Sequence, residues 1–149
     1  MLQYILSFIV LISVVVFIHE YGHYYFAKKY KVGVTDFSIG FGKELFGFND
    51  KDGTRWKICA IPLGGYVKFF GDSNSASQPV SLSKIDNKDH SKLLTTKPLY
   101  QRAIIVSAGP IANFILAIFI FSIIFMTVGK DVTVPVITEV QQNSPATKA

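Results

Sequence analysis

The strongest chemical character in this 149-residue chain belongs to His19-Glu20-Tyr21-Gly22-His23, set inside a run of Ile, Val, Leu and Phe. On a helix, His19 and His23 stand one turn apart on a single face, so both imidazoles reach one metal ion, and Glu20 lies beside it. H-E-x-x-H on a helix is the pattern of zinc hydrolases, in which two histidines hold Zn2+ and the glutamate acts as general base on water. An incidental polar cluster is the bland alternative. The setting argues against it, because an ionisable group at the centre of an apolar span costs on the order of 2.5 to 3.5 kcal/mol on insertion scales and defaults to a functional role.

The elements that must position this motif are membrane-like. Half of the residues are hydrophobic and the mean hydropathy is positive. No charge occurs in residues 1–18 or in residues 103–129, and each run is long enough to cross a hydrocarbon core of about 30 Å. The expected fold is a membrane protein, mainly α-helical, with two transmembrane helices joined by a membrane-associated β-hairpin or re-entrant segment and a cytoplasmic loop. The first helix is expected over residues 1–28. It has no basic stretch ahead of it and no small-residue cleavage site behind it, so it is expected to be retained. With Lys28 and Lys29 at the boundary, His23 lies about 7 Å and His19 about 13 Å inside at 1.5 Å per residue. Gly22, between the ligands, offers a neighbouring element a close approach.

Charge sets the expected orientation. Residues 28–102 hold thirteen of the fifteen Lys and Arg against seven of the ten Asp and Glu, an excess of six positive charges. By the positive-inside rule this segment is cytoplasmic and both chain ends are extracytoplasmic. The basic residues are scattered among apolar ones with no nucleic-acid motif, so no nucleic-acid partner is expected; the partner is the lipid bilayer. Cys59 is the single cysteine, which excludes an internal disulfide and reads as a small buried hydrophobe.

Between the helices, residues 29–72 change period. Phe37, Ile39 and Phe41 alternate with Ser38, Gly40 and Gly42, a strand pattern with glycines at bends. Asn49-Asp50-Lys51-Asp52-Gly53 is a turn, and residues 54–60 resume the alternation, which predicts a hairpin. Residues 61–67 are too apolar for a solvated loop and too broken by Pro62, Gly64 and Gly65 for a spanning helix. A strand pair dipping into the membrane beside the site fits best, and because backbone of that kind is tolerated at membrane depth only where protein or a water-filled cavity satisfies it, the segment is expected to line the site. An edge turn on the membrane surface is the alternative. Residues 73–102 are polar and without period, a flexible cytoplasmic loop in which His90 has no partner at ligand spacing.

The second helix is expected over residues 103–129, with Tyr100, Gln101 and Arg102 at the interface. Its Ala108-Gly109-Pro110 step permits close packing, and Asn113 is a buried amide that either holds helices together or faces substrate. Residues 130–149 turn to β-formers and resemble the start of a soluble domain that stops before a core is complete, so the chain reads as a fragment or truncated product.

In this order and spacing, HEYGH at 19–23, FSIGFG at 37–42, IPLGGYVK at 61–68 and AGPIANF at 108–114 resemble the N-terminal part of the bacterial site-2 proteases, in the branch that cleaves anti-sigma-factor proteins within the membrane. The resemblance covers almost the whole chain. It implies a zinc intramembrane endopeptidase of the bacterial inner membrane acting on membrane-spanning protein substrates. His19 and His23 would be metal ligands, Glu20 the catalytic base, and Gly64, Gly65 and Tyr66 part of membrane-embedded β-structure beside the substrate. Residues 130–149 would open an extracytoplasmic PDZ domain. Two departures matter. The family's Leu-Asp-Gly segment, whose aspartate is the third zinc ligand, is not among these 149 residues, and neither is most of the PDZ domain. Lys43-Glu44 also stands where relatives often have proline, which is expected to alter only a turn.

Two rival classes are weighed against this reading. A metal carrier built on the same histidines has no need of Glu20 and would place further polar residues along both spans, where only Asn113 stands. A non-catalytic membrane remnant is compatible with the missing aspartate. With two nitrogen ligands and no third protein ligand matching the family, the 149 residues alone are expected to bind zinc weakly and cleave nothing.

Overall fold

The computed structural model describes residues 1–73 and 87–129. Their order is helix α1 (Leu2–Lys29), strand β1 (Val34–Asn49), strand β2 (Arg55–Phe69), two short 3-10 turns (Asn87–Lys92 and Leu94–Thr96) and helix α2 (Leu99–Thr127). The chain divides into two units, Met1–Ile118 and Phe119–Ala149. In the second, the described part is the end of α2, where Phe121 stacks on Phe125 and the amide of Val128 closes a last turn on the carbonyl of Ile124 at 2.8 Å. The packing below concerns the first unit.

Both helices are long and apolar enough to cross a membrane, and most of their large side chains face outward. α1 nevertheless has a working side. Phe17, Glu20 and Tyr24 follow i, i+3, i+7 spacing and share one stripe. Phe37 of β1 is fully buried against that stripe, edge-on to the rings of Phe17 at 5.8 Å and Tyr24 at 5.7 Å. Its other face stacks on Trp56 of β2 at 4.1 Å. Burying such a ring contributes roughly 1.5–3 kcal/mol, and each favourable ring pair about 0.5–1.5 kcal/mol more. This cluster fastens the hairpin to the helix.

The hairpin is folded more tightly than simple alternation suggests. Near its turn, Asn49 lies opposite Arg55 and Phe46 opposite Ile58. Residues 36–39 then lie opposite both 55–58 and 65–68, so this stretch of β1 is hydrogen-bonded on both edges by two parts of β2. That explains why Phe37 and Ser38 are completely buried. Residues 61–67, expected as strand structure interrupted by Pro62, Gly64 and Gly65, form one continuous stretch of strand. β2 runs through it, and the irregularity is absorbed as a bulge: between the pairs Phe41–Ile61 and Ile39–Gly65, three residues of β2, including Pro62 and Gly64, oppose one of β1.

Two further expectations are corrected. Residues 87–98 are not a shapeless connector: Leu93 is buried, the Thr96 hydroxyl donates to the carbonyls of His90 and Leu93, and the Gly33 amide donates to the Lys92 carbonyl at 2.9 Å. Residues 74–86 lie outside the described residues. α2 begins at Leu99, four residues earlier than the uncharged run, because Tyr100, Gln101 and Arg102 are adequate helix formers; the Pro98 carbonyl accepts from the amides of Gln101 and Arg102. α1 likewise runs on through Lys28 and Lys29, which sit in its last turn.

Asp50 ties the hairpin turn to the end of α1. One carboxylate oxygen accepts from the Asp52 and Thr54 amides at 2.9 Å, and the other from the Tyr24 hydroxyl at 2.9 Å and the Trp56 indole at 3.4 Å. Burial would raise this carboxyl, but the hydrogen bonds from Thr54, Tyr24, Asp52 and Trp56 outweigh it and hold it below the ordinary value. Its contribution is therefore complete above the unfolded-state pKa of about 3.9 and is lost as pH falls through the lower folded value. Asp50→Ala leaves these donors without their acceptor and is expected to lower stability by about 1–3 kcal/mol. Thermal unfolding in detergent at neutral pH checks this; an unchanged midpoint would remove Asp50 from the fastening.

Candidate metal centre

Helix geometry gives α1 two adjacent working faces, since successive residues differ by about 100°. Glu20 turns toward the hairpin, while His19, Gly22 and His23 turn toward α2. The helices touch at Gly22, where a Cβ would come 2.5 Å from the Ala108 carbonyl oxygen and 3.1 Å from the Ala112 side chain. Any side chain at 22 would force them apart.

The two imidazoles stand edge to face, with centroids 4.9 Å apart. Their free nitrogens converge on the backbone of α2: a Cβ built on Gly109 would lie 2.7 Å from His19 Nε2 and would also overlap His23 Nε2. With no side chain at Gly109, both ring nitrogens pack directly against the backbone of α2. The other nitrogen of each ring is engaged. His23 Nδ1 is 2.8 Å from the carbonyl oxygen of Ile105, an acceptor only, so Nδ1 carries the proton and Nε2 presents its lone pair. His19 Nδ1 is 3.2 Å from the Asn113 amide.

On the other face, Glu20 packs over Gly65, where a Cβ would fall 3.2 Å from its Cγ and 2.8 Å from Val16 Cγ1. The Val67 backbone amide faces the Glu20 carboxylate. Gly65 therefore belongs beside the site. Gly64 and Tyr66 are one step removed: Gly64 accommodates the Phe41 ring, and Tyr66 stacks on that ring at 6.1 Å with the Lys57 ammonium over its face. Cys59 is buried with its sulfur 3.3 Å from the Ser38 hydroxyl, in keeping with a structural thiol.

The donor set fits zinc at two positions: a pair of imidazole nitrogens meeting at one point, one with its tautomer fixed by a carbonyl. Among the described residues, no group of three or more His, Cys, Asp or Glu is gathered to hold a metal. Three contributors were not singled out as site residues from the sequence. Gly109 was legible only as a small residue for helix packing, and the Ile105 carbonyl and Val67 amide are backbone groups that no residue type announces.

H-E-x-x-H on a helix is the pattern of zinc metalloproteases, and in this chain both ring nitrogens meet at Gly109 while Glu20 faces the hairpin. Residues 7–148 match the model of peptidase family M50, and the chain belongs to that family, the site-2 proteases. A "putative zinc metalloprotease" of Agrobacterium fabrum is 51% identical over 148 residues, covering 98% of this chain and 39% of that protein. One of Mesorhizobium japonicum is 49% identical over 148 residues, with 97% and 40% covered. The metalloprotease MmpA of Caulobacter vibrioides is 41% identical over 155 residues, with 97% and 39% covered. The chain spans about two fifths of the length of these relatives.

Gly109→Ala separates helix formation from metal binding. Alanine favours the helix by up to about 1 kcal/mol, yet its methyl occupies the point that both Nε2 atoms address. The expected result is intact helix content with zinc affinity reduced at least tenfold, read by chelator competition; undiminished affinity would place the metal elsewhere.

Proposed function

We propose that this chain is the zinc-binding N-terminal part of an intramembrane endopeptidase that cleaves membrane-spanning segments of other proteins, of the kind that releases sigma factors from their membrane-bound inhibitors. The observation that carries this reading is the meeting of His19 and His23 Nε2 over Gly109, with Glu20 alongside, inside helices apolar enough to span a bilayer. His19 and His23 would hold the zinc. When bound, zinc would supply a Lewis acid and lower the pKa of water toward about 7.

Glu20 takes the proton of the attacking water and delivers it to the leaving amide nitrogen. The Val67 amide steadies the carboxylate, and Gly65 lets the strand come close enough for that contact. A helical substrate must unwind to offer a carbonyl. Residues 65–69 of β2 pair with β1 on one side only, and the opposite side borders Glu20, so an unwound segment added there as a strand would lie next to the base. Gly64 and Tyr66, on the Phe41 side, would shape this strand and not touch the reacting atoms.

The site would lie in the bacterial inner membrane, nearer its cytoplasmic side, with both ends of the chain extracytoplasmic and residues 130–149 opening a PDZ-like domain. Those residues lie outside the described ones, as do Ser75 and Asn143. Cysteines introduced at Ser75 and Asn143 are expected to label from opposite sides of the membrane, Ser75 from the cytoplasm; labelling of both from one side overturns this topology.

The rival reading, a metal-binding membrane protein without protease activity, draws on the two-histidine count. It predicts that residues 1–149 alone bind zinc weakly and do not cleave, as the protease reading also does, so full-length protein must decide. There, Glu20→Gln is expected to keep zinc and to lower cleavage of a membrane-spanning reporter by about 10²- to 10⁴-fold. Cleavage unaffected by the substitution, or no cleavage by the parent protein, would favour the rival.

A further inference from the structure

His19 and His23 address the same point, but their supporting partners differ in kind. For His23 the partner is a carbonyl, which fixes Nδ1 as the protonated nitrogen. For His19 it is the Asn113 side chain, with Nδ2 lying 3.2 Å from His19 Nδ1. In that arrangement Asn113 donates, His19 Nδ1 must hold its lone pair, and the proton moves to Nε2, where it would face the metal. The Asn113 Oδ1 is meanwhile buried with no hydrogen-bond partner.

Amide oxygen and nitrogen occupy nearly the same volume, so half a turn about the last side-chain bond exchanges them. We propose that Asn113 acts with its amide turned, Oδ1 accepting the His19 Nδ1 proton, and is the positioning residue that fixes His19 with its Nε2 lone pair on the metal. The exchange gives Oδ1 a donor, puts the NH2 group where Oδ1 stood, and makes the two histidines equivalent: each donates through Nδ1 to an oxygen of α2, Ile105 backbone for one and Asn113 side chain for the other. Residues 105, 109 and 113 recur every four positions along α2, so a single stripe supplies both oxygens and, between them, the glycine against which both Nε2 atoms pack. This assignment rests on the zinc reading above.

Full-length protein carrying Asn113→Asp or Asn113→Leu provides the test, with zinc affinity read by chelator competition and ligand geometry by the visible spectrum after cobalt substitution. Aspartate keeps an acceptor and loses the donor; leucine has neither. The expected result is affinity within a few-fold of the parent and an unchanged cobalt spectrum for Asp, against a 10- to 100-fold loss and a shifted spectrum for Leu. If the Leu variant does not fold, Asn113→Ser, too short to reach the ring, is expected to show the same loss. Equal loss in Asp and Leu would make Asn113 a donor, and parent-like affinity in Leu or Ser would make it helix packing only; either result overturns the proposal. Absence of metal uptake by the parent protein would instead overturn the zinc centre itself.

Discussion

The site depends on how closely the backbone of α2 approaches one face of α1. At Gly22 and Ala108 the helices touch without intervening side chains, and one residue further along, the rings of His19 and His23 pack against Gly109. Within a bilayer, where the proposed function sets them, helices would gain nothing from hydrophobic association and would hold by close packing and polar contacts. Here the packing contact and the polar contacts coincide. The same short stretch of α2 provides small residues at 108 and 109 and an acceptor at Ile105 for His23. A widening of this seam would loosen the helix pair and the metal pocket together.

The second constraint is the rotation between neighbouring residues on α1. Placing His19 and Glu20 next to each other in sequence sends them to different partners: the histidines to a helix, the glutamate to a strand. The aromatic cluster of Phe17, Tyr24, Phe37 and Trp56 then sets the distance between hairpin and helix, and Gly65 allows the strand to close on Glu20. Asp36 and Lys57 join the two strands by an ion pair at 2.7 Å. Burial works against ionising Asp36, but hydrogen bonds from Lys57 and Thr35 and the nearby positive charges keep it below its ordinary range.

Much of this was legible in the sequence because it rests on period and residue type. The charge-free runs marked both helices, the alternation around Phe37 marked β1, and the spacing of His19 and His23 marked a shared face. The misses have a common physical origin. Pro62 and Gly64 marked an irregular strand, but nothing local says that tertiary pairing will absorb both in a single bulge. Charged Arg102 and polar Gln101 suggested a helix end, whereas helix propensity ignores charge. Period could not reveal that residues 36–39 pair on both edges, because that depends on β2 curling around them, nor that a backbone carbonyl and a backbone amide support His23 and Glu20.

The doubled pairing of residues 36–39 bears on how this part of the molecule would open. Two-stranded ribbons are marginal by themselves and fray as a unit. Here the stretch at 46–49 and the stretch at 65–69 never pair with each other; each is joined to the rest through the middle. Amide protons should accordingly fall into two independent classes, with the turn-proximal arm exchanging through its own local opening while the strand beside Glu20 stays protected by Phe37 and its neighbours. Disturbance at the hairpin tip would then be insulated from the carboxylate.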